Sequence, residues 1–235
     1  MKRNSTFRRI GFLIILSWNL LLTGTISFAQ SKVQAGPIWG QGMRMITGNE
    51  VSDIGMGFHG GLIVRVPFND QLSITPSIAY ARKGYNKFDF GFWNEDLIIQ
   101  YNQKLSYLDF YFPVKYQVAG IFNIQAGVQL GVLLDGELIL ESYSYSEKFR
   151  DNIKNELNPV DFGFILGAGV QFKNGIGLDL ILNQGLTDIY KNDPIPYVDP
   201  YNNSYIISEL NGKNMLTTIN ISYLFGYAPV SVPVK

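Results

Sequence analysis

The sequence predicts an all-β fold, an eight-stranded antiparallel up-and-down transmembrane β-barrel with short periplasmic turns and long extracellular loops. Three observations predict it: apolar residues alternate with small or polar residues, eight segments show this pattern, and their connections alternate between long and short. The composition agrees, because 46% of the 235 residues are hydrophobic, 14% are aromatic and 16% are charged, the reverse of a disordered chain. The chain has no cysteine, which excludes disulfides and zinc–thiolate sites.

The alternation is clearest in residues 122–134 and 160–172. In each segment every second residue is apolar, whereas the residues between them are glycine, asparagine, glutamine or aspartate with an occasional aliphatic residue. A period of two indicates β-strands with two different faces. Each segment is 13 residues long. Strands in globular sheets have about five or six residues, and a membrane-crossing strand needs about 9 to 11.

Eight segments fit this template. The predicted strands are residues 32–41, 56–66, 71–83, 104–118, 122–134, 160–172, 175–189 and 214–226. The connections are long at residues 42–55, 84–103, 135–159 and 190–213, and short at 67–70, 119–121 and 173–174. An even number of strands leaves both termini on one side of the membrane, the side of the short turns. The runs Pro67-Phe-Asn-Asp70 and Lys173-Asn-Gly175 contain residues that favour tight turns.

The amino terminus predicts a secretory signal peptide over residues 1–29. Four basic residues precede an apolar stretch at residues 10–22, and Ser27-Phe28-Ala29 forms a small-residue cleavage pattern. The apolar stretch is shorter than the roughly 20 residues of a spanning helix, which disfavours a retained anchor. Cleavage after Ala29 removes four of 19 basic residues and none of 19 acidic ones, so the mature chain carries a formal charge of −4. We therefore expect a barrel at residues 30–226, a tail at 227–235 and no nucleic-acid partner.

Charged residues on the predicted inward face balance one another. They are Arg65, Lys83, Lys115, Asp109, Asp161 and Asp179, and the single histidine, His59, lies on the same face. Because buried charges must be paired or hydrogen bonded, these side chains predict a polar network that fills the lumen without an open pore. One histidine cannot form a multi-histidine metal site, so we expect neither a metal nor a cofactor.

The glycines Gly55, Gly57 and Gly60 match the spacing of the dinucleotide-binding fingerprint. That fingerprint requires a preceding strand and a following helix, whose amino terminus binds the pyrophosphate. Here the glycines lead into an alternating strand. No dinucleotide is expected.

Aromatic residues are prominent on the outer wall and in the long loops. Outward positions near the short turns hold Tyr116, Phe122, Phe172, Tyr223 and Phe225, and Trp39 and Tyr80 are predicted near the long loops. Such residues are typical of interfacial belts. In the loops, the candidate contact residues are Phe90, Trp93, Tyr143, Tyr197 and Tyr201. They predict either a surface that contacts other envelope proteins or an outer aromatic belt, in addition to contacts of the wall with outer-membrane lipid.

The strand segments resemble a known family. Residues 72–84 and 107–116, then 161–169, 178–188 and the closing segment 216–225, are similar to the PorT-like outer-membrane β-barrel family of Gram-negative bacteria, with OmpA/OmpX-type eight-stranded architecture. The resemblance implies an outer-membrane location and specifies strand faces and turns rather than chemistry. One departure is the tail after Tyr227, because barrels of this type commonly end on an aromatic residue.

These patterns favour an integral outer-membrane protein with a structural, adhesive or assembly- or secretion-associated role, and not an enzyme. Two alternatives remain at the level of the sequence. One is an outer-membrane lipid-modifying enzyme that uses His59 with a serine or aspartate. The other is a soluble periplasmic carrier of lipocalin type, which would have an apolar cavity and a polar exterior.

Overall fold

The structure is a computed structural model that describes residues 33–48, 53–90, 98–142, 147–191, 195–198, 204–207 and 212–227. All of the described strands belong to the unit Gln34–Lys235. The signal peptide predicted for residues 1–29 lies outside the described residues, as does the tail after Tyr227. The predictions for both segments therefore stay predictions.

The described chain contains twelve strands and one short 3₁₀ helix. The strands are β1 (Gln34–Thr47), β2 (Gly55–Pro67), β3 (Leu72–Ile74), β4 (Ser77–Phe90), β5 (Ile98–Ala119), β6 (Phe122–Ser142), β7 (Glu147–Asn152), β8 (Val160–Gln171), β9 (Ile176–Gly185), β10 (Ile195–Val198), β11 (Ser204–Ile207) and β12 (Lys213–Tyr223). The helix, η1, covers Lys154–Glu156. No helix in the part of the chain that the structure describes is long and apolar enough to cross a membrane.

Eight antiparallel pairings close the strands into a ring. In order around the ring the members are β1, β2, β3 with β4, β5, β6, β8, β9 and β12, and β12 pairs with β1 from Ile38↔Ser222 to Thr47↔Lys213. The strands β3 and β4 form one member that is interrupted at Thr75 and Pro76, because proline has no N–H to donate to the ladder. The predicted fold class, an eight-stranded antiparallel barrel, is confirmed.

Tight turns close one end of the barrel, which we call the short-turn end. Gly120 and Gly175 adopt φ of 54° and 90° in two of these turns, a conformation that costs glycine little. In the first turn, the Asn69 side-chain oxygen accepts the N–H groups of Gln71 and Leu72 at 2.9 and 2.8 Å. These local bonds fix the turns that the sequence predicted. The opposite end is the long-loop end.

Four strands, β1, β4, β5 and β6, extend several residues further toward the long-loop end than the sequence predicted. The strands β4, β5 and β6 continue pairing as far as Phe90↔Ile98 and Ile99↔Ser142, and β7 adds a fourth strand beside β6. The register of β5 with β6 shifts between Ser106 and Tyr107. Residues beyond this shift form a four-stranded extension, β4–β5–β6–β7, of the barrel wall. The prediction of loops in these segments was therefore wrong.

The two faces of the wall differ in the way that a lipid environment requires. Leu62, Leu180 and Ile219 point outward with 61%, 56% and 68% of their surface exposed, whereas buried lumen positions carry many amides and charges. This arrangement is the inverse of a soluble protein. Trp39 also points outward, but it pairs with Gly60 and Ile221 well before the end of β1, so its predicted position near the long loops was wrong. The cause is that β1 continues to Thr47.

Candidate functional site

Two buried charge clusters lie in the lumen, each joining strands that are three positions apart in the ring. In the upper cluster, Lys83 Nζ on β4 lies 3.0 Å from Asp109 Oδ2 on β5 and 3.0 Å from Asp161 Oδ2 on β8. In the lower cluster, Lys115 Nζ on β5 lies 3.1 Å from Asp179 Oδ2 on β9. The bridges Lys83–Asp161 and Lys115–Asp179 therefore span the lumen instead of joining neighbouring strands.

Neutral donors complete the upper cluster. The Tyr111 hydroxyl donates to Asp109 Oδ2 at 2.7 Å, and the amides of Gln129 and Asn214 donate to Asp161 Oδ2 at 3.3 and 3.1 Å. The two carboxylates thus share one ammonium and three neutral donors. Taking charges out of water is costly unless such partners surround them, so this geometry is typical of a structural core.

Glycines on the inward face create the space in which these polar side chains meet. Gly131 lies between Asp109 and Asp161 in the register, and a Cβ atom there would stand 2.5 Å from Asp109 Oδ1. Gly169 stands in the same way between Asn123 and Asp179, where a Cβ atom would be 2.1 Å from Asp179 Oδ1. The side chains of Asp109 and Asp161 both lie close to Gly131, and the Asp179 side chain lies close to Gly169.

Arg44 on β1 is a lumen residue that the sequence analysis missed. Its Nη1 donates to the Lys83 carbonyl at 2.6 Å, and its Nη2 donates to Asn102 Oδ1 at 3.0 Å. Gly55 and Gly57 on β2 leave room for this side chain, because Cβ atoms there would lie 2.9 Å from Arg44 Nε and 3.0 Å from Arg44 Cβ. Two glycines of the apparent dinucleotide fingerprint therefore serve packing. Arg44 was missed because the predicted first strand ended at residue 41.

His59 is buried in the lumen, with 4% of its surface exposed. Its ring meets the Tyr111 ring edge-on at 5.7 Å between centroids, and its polar neighbour is the side chain of Asn220. Within the described residues, no serine or aspartate hydrogen bonds to it. The arrangement lacks the acid and nucleophile that a histidine base requires.

Arg65 belongs to neither charge cluster. Its Nη1 donates to Gln34 Oε1 at 3.0 Å, and its guanidinium carbon lies 5.4 Å from the centroid of the Tyr227 ring at the short-turn end. Burial raises the pKa of the Tyr227 hydroxyl, and the nearby Arg65 charge opposes this shift. The predicted lumen residues thus form separate groups rather than one continuous network.

An apolar layer covers the lumen at the long-loop end, and we call it the cap. Its buried members are Ile46, Leu105, Tyr107, Leu133, Leu138, Ile153, Leu157, Ile189 and Tyr190. Strand residues supply the rim, while Ile153 and Leu157 flank η1 and Ile189 and Tyr190 follow β9. The Tyr190 hydroxyl donates to Gln103 Oε1 at 2.6 Å, and burial raises the pKa of this hydroxyl well above its usual value of 10.0.

The predicted contact residues lie at the limit of what the structure describes. Phe90 ends β4 and Tyr197 lies in the hairpin β10–β11, and only their backbone is described. Trp93, Tyr143 and Tyr201 lie outside the described residues. The contact surface therefore stays a prediction. Within the described residues, no group of three or more histidine, aspartate or glutamate side chains is arranged to hold a metal ion.

The lipid-facing wall and the polar lumen define a class of protein, the transmembrane β-barrel. Residues 6–191 match the family described as Outer membrane protein beta-barrel domain, and the chain belongs to this family. The protein is accordingly an outer-membrane protein. The alternative of a soluble periplasmic carrier is wrong, since both the family and the distribution of faces contradict it.

Solved structures of small outer-membrane proteins are similar to this chain. The crystal structure of Ail, the attachment invasion locus protein of Yersinia pestis, has 13% sequence identity and a TM-score of 0.45, covering 83% of this chain and 99% of Ail. Neisserial surface protein A has 9% identity and a TM-score of 0.42, covering 81% of this chain and 95% of its own. No protein of curated function matches the sequence.

Proposed function

We propose that this protein is a non-enzymatic outer-membrane barrel with a closed lumen, which carries a contact surface at its long-loop end. Its role is structural, adhesive or assembly- or secretion-associated. The single observation that carries the proposal is the combination of a blocked lumen with strands that continue beyond the membrane.

The blocked lumen supports the absence of transport. The upper and lower charge clusters bridge the barrel from side to side, and the cap lies over them. An eight-stranded barrel is only just wide enough for its own side chains. Ions would have to displace both bridges and the apolar cap to pass.

The environment of His59 supports the absence of enzymatic activity. The residue faces the lumen, below the cap, and is separated from the lipid by the barrel wall. A lipid-modifying enzyme needs its reactive groups where an acyl chain or a headgroup can reach them, with a nucleophile within hydrogen-bond reach of the base.

The extension of the wall supports a contact role. The strand β5 has 22 residues and β6 has 21, about twice the 9 to 11 residues that a crossing strand needs. The free strand of the extension, β7, has the sequence Glu-Lys-Phe-Arg-Asp-Asn. Charged edge strands resist pairing with other chains. We therefore assign the contacts to the faces and loops of the extension and not to its edge.

The proposal is tested with a variant that lacks most of the extension between β4 and β5. Asn86 and Asn102 are direct partners in the register, so residues 87–101 can be replaced by the two-residue turn Asn-Gly. The full chain and this variant are each purified from outer membranes in mild detergent. The full chain is expected to retain a stoichiometric envelope protein, and the shortened chain is expected to lose it while keeping the heat-sensitive gel mobility of a folded barrel.

Planar-bilayer recordings test the closed lumen separately. The full chain is expected to give no discrete conductance steps. Regular steps would contradict the closed lumen, and a chain that purifies alone, or a shortened variant that keeps its partner, would contradict the contact role.

A further inference from the structure

Arg82 is a charged residue on the lipid-facing side of the wall. Its neighbours in β4, Ala81 and Lys83, are buried in the lumen, whereas Tyr80 is exposed on the outer face together with the half-buried Arg82. The alternation of β4 therefore directs the Arg82 side chain outward. Hydrocarbon cannot solvate a guanidinium, so the residue requires either water or an anion at its depth in the membrane.

The depth of Arg82 corresponds to the outer interface. It stands ten positions after Leu72, where its member of the ring begins at the short-turn end, and a strand crosses the membrane in about 9 to 11 residues. Its partner in the register on β5 is Ser106, at the register shift where the extension of the wall begins. Arg82 thus lies at the level of the lipid headgroups.

Aromatic side chains frame the guanidinium. The Arg82 Cζ atom lies 6.0 Å from the centroid of the Phe58 ring on β2, and the Phe58 ring lies 6.1 Å from that of Tyr80. The Tyr80 hydroxyl is engaged with Ser106 Oγ at 2.8 Å. The Phe58 and Tyr80 rings are therefore held in place by their contact with each other and by the Tyr80–Ser106 hydrogen bond, and they lie next to the guanidinium.

Arg82 has no polar partner in the part of the chain that the structure describes. Among the described residues it makes neither a hydrogen bond nor an ion pair, and its Nε atom is buried without a partner. A half-buried arginine with all five donors unused is costly unless something outside the protein accepts them.

We propose that Arg82, framed by Phe58 and Tyr80, binds the phosphate of an anionic lipid headgroup in the outer leaflet. The planar guanidinium matches a phosphate with two parallel hydrogen bonds. The rings of Phe58 and Tyr80, with the exposed side chains of Leu62 and Ile78 further toward the membrane centre, contact the attached acyl chains. These apolar flanks select a lipid phosphate over a free one.

The test is lipid retention by the refolded full chain in mild detergent, measured by native mass spectrometry. The probes are phosphatidylglycerol and diacylglycerol with identical acyl chains, of which only the first carries a phosphate. Wild type is expected to retain phosphatidylglycerol about tenfold more tightly, since a charge-assisted phosphate contact contributes roughly that factor. Arg82→Gln is expected to lose this preference. The matched control is Lys173→Gln, which removes an exposed positive charge at the short-turn end and is expected to keep it.

Three results would overturn the site: no preference in wild type, an unchanged preference in Arg82→Gln, or displacement of the lipid by inorganic phosphate at equal concentration. The last would indicate a site for free phosphate. Arg82→Lys covers the case in which Arg82→Gln does not fold. It keeps the charge but not the paired hydrogen bonds, so its preference is expected to fall at least about twofold below that of wild type. An undiminished preference in Arg82→Lys would also reject the proposal.

Discussion

Lys83 Nζ lies 3.0 Å from Asp161 Oδ2, although the two residues are 78 positions apart in the sequence. They come from β4 and β8, which have β5 and β6 between them in the ring. The bond therefore crosses the lumen and ties together parts of the wall that share no backbone hydrogen bond. Asp109 and three neutral donors surround it, so the upper cluster braces the barrel at a position where an open barrel would hold water.

The first prediction concerns the ammonium of the upper cluster. In Lys83→Met, the carboxylates of Asp109 and Asp161 remain buried without their shared cation, and the barrel is expected to lose about 3 to 5 kcal/mol of unfolding free energy. The measurement is urea unfolding of the refolded protein in lipid vesicles, followed by tryptophan fluorescence. Lys173→Met, in the exposed turn, is the control and is expected to change the free energy by less than about 0.5 kcal/mol. Equal stability of the two variants would disprove the bracing role.

The second prediction concerns the space that Gly131 leaves for the two aspartates. Gly131→Ala places a Cβ atom 2.5 Å from Asp109 Oδ1 and 3.2 Å from the Tyr107 ring, so the cluster must shift. We expect a loss of about 1 to 3 kcal/mol, the usual cost of overpacking. Gly60→Ala makes the same change on the outer face, where the nearest atom is Trp39 Cδ1 at 3.5 Å, and no loss is expected there. If both variants unfold at the same urea concentration, packing around Gly131 is looser than described.

The third prediction is a pH dependence that arises in the cap. Burial raises the pKa of Tyr190 above its ordinary value of 10.0, so folding favours the neutral hydroxyl. This stability is fully present below pH 10 and is lost as the pH rises from the unfolded toward the folded pKa. Between about pH 8 and pH 11, wild type is expected to lose roughly 1 kcal/mol more than Tyr190→Phe. At pH 8 the variant itself is expected to cost about 1 kcal/mol, because Gln103 Oε1 loses its donor. Parallel pH profiles would show that Tyr190 ionises freely in the folded protein.

The fourth prediction concerns processing of the amino terminus. The mature protein is expected to begin at Gln30, as intact-mass measurement and amino-terminal sequencing of the outer-membrane form can establish. Ala29→Leu places a large side chain next to the cleavage site and is expected to leave the precursor uncleaved. A mature chain that begins elsewhere would move the predicted boundary, and an uncleaved wild type would reject the signal peptide.

The crossing strands could be located in the sequence because the membrane imposes a period of two on them. One face meets hydrocarbon and the other meets a crowded polar interior, so residues 160–172 alternate clearly, and β8 indeed covers Val160–Gln171. The same dependence on a membrane-facing side explains why some strand residues were not predicted. The extension of β4, β5 and β6 lies past the roughly 9 to 11 residues that a crossing strand needs, and apolar and polar residues alternate less regularly in its sequence. Arg44 and the cap were missed with it.

The residue pattern was enough to predict the class of protein, the strand faces and the inward position of His59, Arg65, Lys83, Asp109, Lys115, Asp161 and Asp179. These predictions follow from the alternation of apolar with small or polar residues, which is visible within each strand separately. Which of these residues meet is known only from the folded barrel: Lys83 meets both Asp109 and Asp161, and Lys115 meets Asp179. His59 packs against Tyr111 of the upper cluster, whereas Arg65 belongs to neither cluster. The reason is geometric: which inward residues meet depends on the register of all eight pairings and on the closure of the ring, and no single strand contains that information.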